Sequence, residues 1–329
     1  MSLRLSGALA TLLAVTLGLT ACGSSDDTGA AAAETRVFAA DNGDITIPKD
    51  PQRVVATGYA VPALIEADAK LVGISSWQRG IPMMSAEDKA KYDALDKIAG
   101  ETADETDYEK IALAEPDLIV IGVPAPVLGD IDLERLEGVA PVVAIGPTVP
   151  DAWRELSRRQ SDAAGRTATF DRAKAAYDEK AAALKTKYAG VLGSLKFGHV
   201  GGYGQVAKGN FMREYARSWG TNIAQDVGVT YYGEVKKKGG GSLDVSEQES
   251  IELLPESLRD ADAITYTLEP DGTVGPAIKF VLDSPLWKSL PAVKAGRVYP
   301  IRYTQAATYE SARLTLDSLD QAFAPLLNR

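Results

Sequence analysis

The sequence predicts an α/β protein built as two lobes joined by one long helix. Three observations carry that prediction. Continuous apolar runs of strand length alternate with helical stretches in each half of the chain, a pattern that buries a mostly parallel sheet between helices. A middle segment, residues 151–192, has no strand signal. Within it Phe170, Ala173, Tyr177, Ala181, Leu184 and Tyr188 recur at spacings of three and four, which sets them on one helical face.

The first residues read as a sorting signal. Arg4 supplies a positive charge, "LSGALATLLAVTLGL" is apolar, and small residues precede Cys22, so residues 1–21 are expected to be removed. The run falls short of the ~20 apolar residues a spanning helix needs. Cys22 is the only cysteine of the 329 residues, so no disulfide braces the fold. "LTAC" at 19–22 resembles the lipobox of bacterial lipoproteins, which implies that cleavage leaves Cys22 as a lipidated N-terminus. Residues 22–35 are small and polar and read as a flexible tether. The globule would then be held at the outer face of the cell membrane by its acyl chains.

An N-terminal lobe is expected over residues 36–150. It opens with "RVFAADNGDITIP", two strands about an Asn42–Gly43 turn. "RVVAT", "LVGISS", "LIVIG" and "PVVAIG" follow as buried strands, with helices at "VPALIEAD", "DYEKIALAE" and "IDLERLEG". The connecting helix, from Thr167 to Ala189, would be roughly 34 Å long at 1.5 Å per residue. A C-terminal lobe over residues 193–329 resumes the alternation with strands "KFGHVGG", "AITYTL" and "RVYPI". Helices are expected at "FMREYARSWG", at "SEQESIELLPE", where Ser246 and Glu249 have capping-box spacing, and from Glu310 to Leu327.

The order lipobox, tether, "DITIPKDPQRVVA", "DYEKIALAEPDLIVIG", long helix, "DVSEQESIELL" and "PLWKSLPAVKAGRVYPI" resembles the iron-siderophore and vitamin B12 class of substrate-binding lipoproteins. These serve ATP-binding cassette importers. The resemblance implies two Rossmann-like lobes joined by a single long helix, the class III periplasmic-binding-protein fold, with the ligand held between lobes that move little. It also implies one exposed glutamate per lobe for docking on the permease, at Glu109 and Glu249, with Glu247 two residues from the second.

In open α/β sheets, ligands sit beyond the carboxyl ends of the strands. Reading those positions gives Tyr59 after "RVVAT", Trp77 and Arg79 after "LVGISS", Tyr203 after "KFGHVGG", and Arg302 and Tyr303 after "RVYPI". Tyr231, Tyr232 and Tyr309 are candidates for further walls, whereas Trp153, Trp219 and Trp287 lie in helical patterns and read as core. Aromatic faces and guanidinium donors suit a ferric siderophore, whose iron is already coordinated and needs no protein ligand. A hydroxamate ligand is preferred, because a triply charged catecholate complex asks for a denser cationic pocket than Arg79 and Arg302 supply. Haem, with Tyr59 or Tyr303 as axial ligand, and cobalamin are the alternatives within binding proteins.

Other classes are disfavoured by what the chain lacks. A net charge of −10, with "KKKGGG" (236–241) as the one dense basic run, argues against nucleic acid. That run reads as a solvated loop. The sole histidine, His199, falls inside an apolar strand pattern, which leaves no nucleophile–histidine pair and no zinc ligand set. "GGYGQVA" does not open directly into a helix as a dinucleotide turn must, and "ETADETDYE" lacks the order of a calcium loop. The expectation is a monomeric binding protein without a cofactor rather than an enzyme, with a secreted carboxylate-dependent hydrolase as the alternative from another class.

Overall fold

The computed structural model describes residues 34–328; the leader, Cys22 and the tether up to Ala33 lie outside them. The chain enters through an antiparallel hairpin, β1 (Thr35–Ala40) and β2 (Gly43–Pro48). Its turn is Asp41–Asn42, one residue earlier than expected, and Gly43 takes φ +119° as the first residue of β2. Five parallel strands follow: β3 (Val54–Gly58), β4 (Leu71–Ser75), β5 (Lys97–Ala99), β6 (Leu118–Gly122) and β7 (Val142–Ala144), in the spatial order β5-β4-β3-β6-β7. The hairpin tip caps the β7 edge, because Asn42 donates to Val142 O and accepts from Ala144 N. An open edge is thereby closed to pairing with another chain.

Period-two alternation along the strands builds a core on each side of this sheet. Val54 and Ala56 of β3, with Leu118 and Val120 of β6, pack to one side; Val55, Ile119 and Ile121 pack to the other. Continuous apolar runs were the right signal, since a strand buried on both faces has no polar face to show.

The second lobe holds β8 (Lys196–Gly201), β9 (Asn210–Glu214), β10 (Thr230–Tyr231), β11 (Ser246–Ser250), β12 (Ala263–Thr267) and β13 (Val298–Ile301). The main order is β11-β9-β8-β12-β13, with β10 pairing the first residues of β8. Strand β9 runs antiparallel to β8 and to β11. Two expected helices are therefore corrected. "FMREYARSWG" is β9 and a turn; Arg213 is 1% exposed, its guanidinium donating to the carbonyls of His199, Glu214 and Tyr232. "SEQESIELLPE" is the edge strand β11, a 3₁₀ turn (Ile251–Leu253) and a short helix (Leu254–Leu258). The Ser246–Glu249 capping box does not form, and Ser246 Oγ instead donates to Ser242 O.

Two helices join the lobes, a shorter one (Trp153–Ala163) ahead of the long one (Thr167–Leu192). The shorter helix belongs to both cores: Trp153 packs with the second lobe, whereas Leu156 and Ala163 pack with the first. The long helix buries Phe170, Tyr177, Ala181, Leu184 and Tyr188, the face its periodicity predicted, against the C-terminal helix (Tyr309–Phe323). Its start is pinned to the first lobe, where Arg166 bonds Asp68 O and Asp50.

Candidate functional site

In the first lobe the strand order reverses between β3 and β6, and Tyr59 stands at that switch point. Gly58 and Gly122 let the two strand ends approach: a Cβ on Gly58 would lie 2.6 Å from Gly122 O, and one on Gly122 would lie 2.3 Å from Ala60 N. Tyr59 N donates to Gly122 O at 2.9 Å. The Tyr59 ring meets Trp77 edge-on at 4.8 Å. Arg79 lies over both rings, its Cζ 4.0 Å from the Trp77 centroid and 4.8 Å from that of Tyr59, and its Nε is 3.5 Å from Glu101 Oε1. Burial raises the Tyr59 phenol pKa, opposed by the Arg79 charge, so the ring stays a neutral donor.

The second lobe answers with Trp219 and Tyr203. Trp219 faces Tyr59 across the lobe boundary, the rings 9° from parallel and 6.4 Å apart; Tyr203 meets Trp219 at 6.4 Å and 64°. Tyr203 OH and Ser246 Oγ share a short hydrogen bond. Beside Tyr203, a hollow of about 290 Å³ is lined by Gly202, Thr267, Glu269 and Ile278. A row of π faces with one guanidinium thus runs Trp77–Tyr59–Trp219–Tyr203 between the lobes. Trp77, 3% exposed, is the floor beneath Tyr59 rather than an open wall.

Trp219 corrects its assignment to the core; it is half-buried in the turn after β9. The sequence places Trp219 in a helical pattern, whereas the segment is the strand β9 followed by a turn, so no strand end is expected there. Its backbone is held firmly: Gly220 N donates to Glu214 Oε2 at 2.6 Å, Thr221 Oγ1 donates to Tyr215 O, and Arg217 holds both oxygens of Asp151 at 2.7 and 3.2 Å. Burial pushes the Glu214 pKa up to about 7, against the pull of the Gly220 and Ser218 hydrogen bonds and the Arg213 charge. His199 lies beneath the turn with Nδ1 2.7 Å from Thr265 Oγ1 and Nε2 3.2 Å from Thr267 Oγ1. Burial, and then the Arg213 charge, push its pKa down to about 3. It is neutral near pH 7.

Other predicted site residues lie elsewhere. Arg302 and Tyr303 follow β13 as a pair of their own, Arg302 Nη2 donating to Tyr303 OH at 2.7 Å and Nε to Pro270 O. Three tyrosines are corrected to structural roles. Tyr231 hydrogen-bonds Thr265 within the second-lobe core, and Tyr232 OH donates to Ser257 O. Tyr309 packs among Trp153, Phe170 and Tyr177 where the joining helices meet the C-terminal helix. Each is an apolar body with a polar tip, and sequence alone does not say which way the body faces. Trp153 and Trp287 are core as expected. Glu109 is exposed, beside Leu113 at 82% exposure. Glu249 is 5% exposed and lies against Lys236 and Tyr215, so it presents no docking charge. Among the described residues no cluster of three metal-binding side chains occurs, and no helix is long and apolar enough to cross a membrane.

Residues 54–303 match the family described as periplasmic binding protein. The chain belongs to that family. Its relatives include two iron(3+)-hydroxamate-binding proteins of Bacillus subtilis: YxeB, 28% identical with 86% of this chain and 82% of the relative covered, and FhuD, 30% identical with 90% and 89% covered. Among solved structures, the siderophore periplasmic binding protein from the fuscachelin gene cluster of Thermobifida fusca superposes with a TM-score of 0.67 at 28% identity, covering 84% of this chain and 97% of that one. This periplasmic binding protein is therefore of the two-lobed, long-helix type, and such proteins bind rather than transform their substrates.

Proposed function

We propose that the chain captures a ferric siderophore of hydroxamate type between its lobes and delivers it to an ABC importer, while lipid on Cys22 keeps it, as a monomer, at the outer face of the membrane. The observation that carries this reading is the aromatic row crossing the lobe boundary with Arg79 over it. Flat π faces grip the organic shell of a chelated metal, and a single guanidinium reaches its outward oxygens. One cation in that row suits a weakly charged complex better than a triply charged catecholate. The names of the Bacillus subtilis relatives support the same ligand class. Haem would need a tyrosinate ligand, and burial moves the Tyr59 phenol away from that form.

Docking would use Glu109 on the first lobe and, in place of the buried Glu249, the exposed Glu252. Glu252 follows Ser250, whose Oγ accepts from its N–H, at the start of the 3₁₀ turn. Exposed Leu253 is its neighbour as Leu113 is that of Glu109.

Intrinsic fluorescence titration with ferrioxamine B, an iron(III) catecholate and iron(III) citrate tests the ligand class. Saturable quenching is expected for ferrioxamine B, and Trp219→Leu should remove most of it and weaken binding about five- to a hundredfold, since base-like π stacking is worth ~1–3 kcal/mol. Equal quenching by all three complexes, or none in either protein, would refute the assignment; a haem absorption band on mixing would favour haem.

A further inference from the structure

The lobes meet at a second place, behind the aromatic row. Glu66 ends the helix Ala60–Glu66, which begins directly after Tyr59. Its Oε2 accepts from the N–H of Glu310 at 3.2 Å, in the first turn of the C-terminal helix, 244 residues along the chain. Carboxylates are favoured at helix N-termini. Here the carboxylate comes from the other lobe. It lines a cavity of about 20 Å³ whose walls include Trp77, Met83 and Asp88 on one side and Thr308 and Glu310 on the other. Trp77 thus separates this joint from the Tyr59 ring it supports.

We propose that Glu66 is a positioning residue for the cleft: its bond to the C-terminal helix sets the separation of the Tyr59–Trp77 wall from Trp219 and Tyr203, and makes that separation depend on pH. The groups around it fix the sign. Burial raises the Glu66 pKa from 4.5 to about 7; Thr308 and the Glu310 N–H lower it, and the charges of Glu310 and Asp88 raise it again. Glu310 is itself raised, by burial and then Asp88, with Arg313 and Lys91 opposing and Glu87 adding to the rise. Lys91 is shared with Glu87 and Asp68. Lys91 also lies 3.9 Å from Asp88, and among the described residues no Lys or Arg forms an ion pair with Glu66. When the lobes part, Glu66 regains water and its ordinary acidity. The apposed arrangement is the one that holds the proton more tightly, so its advantage is greatest near pH 4.5 and below and is lost as pH rises through about 7.

The inference rests on the cleft being the ligand site, so its test has one arm without ligand. Spin labels on Glu137→Cys and Lys288→Cys, both exposed and on opposite lobes, report the lobe separation in the chain from Glu34 onward, which is one compact unit. In the otherwise unaltered chain the separation should widen as pH rises from about 4.5 to about 7; Glu66→Gln should stay narrow throughout, and Asp88→Asn should move the transition to lower pH. In the second arm, ferrioxamine B should bind about three- to tenfold more weakly at pH 8 than at pH 6, and with no such change in Glu66→Gln. A constant separation in the unaltered chain, or a transition unchanged in Glu66→Gln, overturns the inference. A transition that follows both substitutions while ferrioxamine B fails to bind any variant upholds Glu66 and refutes the siderophore reading.

Discussion

The Glu214–Gly220 turn shows how few atoms aim the residue that faces Tyr59. A Cβ on Gly220 would fall 1.9 Å from His199 Nε2, and one on Gly201 would fall 1.7 Å from Glu214 Oε1. Two glycines, a neutral histidine and a buried acid therefore form one packed unit beneath Trp219. Its pH response can be derived. Glu214 is raised from 4.5 to about 7, so its ionisation opposes the fold, and stability held at low pH is lost as pH rises through 7. Glu214→Gln keeps an oxygen for the Gly220 N–H. It should be more stable than the unaltered chain at pH 8.5, by roughly 1–3 kcal/mol, and about equally stable at pH 4.5. His199 acts in the opposite window. Its depressed value, about 3 against 6.5, supplies stability above pH 6.5 that is lost as the medium is acidified. Thermal melts across pH 4–9 check both signs.

At the scale of elements, the short helix Trp153–Ala163 sets the relation of the lobes. It contributes to both cores, so the lobes cannot rotate freely about it without breaking apolar packing. From its N-terminal side, Trp153 Nε1 donates to Asn222 Oδ1 at 3.0 Å and Arg154 bonds the same oxygen at 3.1 Å. Asp151, just ahead, holds Arg217 of the Trp219 turn. The joint and the cleft wall are thus one mechanical unit. Asp151→Ala removes an exposed bidentate pair worth at most about 1 kcal/mol to the fold. It should leave the melting temperature nearly unchanged while weakening ferrioxamine B binding about two- to fivefold, read by the same titration. An unchanged affinity would detach the turn from the joint.

At the scale of the whole molecule, the proposed docking charges sit one on each lobe, each at the start of a short helical turn with an exposed leucine nearby. A permease that touches both reads the lobe separation as well as the charge. Charge reversal at Glu109 or at Glu252 should leave ferrioxamine B binding intact and cut uptake of labelled ferric complex by intact cells at least fivefold, because rim charges govern encounter more than affinity. The same reversal at Glu249 should instead lower expression or melting temperature, since that group is buried and a buried charge left without its partner is costly. Reduced uptake without instability at Glu249 would reverse the assignment.

What the sequence by itself determined were the features that depend on local pattern: parallel strands as unbroken apolar runs, the long helix and its buried face from spacings of three and four, and the places of Tyr59, Trp77, Arg79 and Tyr203 just beyond strand ends. Local order is enough there, because burial on both faces or on one helical stripe leaves a direct imprint on residue order. The tertiary structure alone decided the rest. Arg213 and Glu249 went inside because neighbouring carbonyls, a lysine and a tyrosine were brought to them from afar, and Trp219 meets Tyr59 because the turn after β9, tied to Glu214, Tyr215 and Asp151, carries it back to the lobe boundary. The Glu66 joint was invisible for the same reason: a hydrogen bond across 244 residues exists only when both lobes are folded and apposed, and no run of adjacent residues encodes that distance.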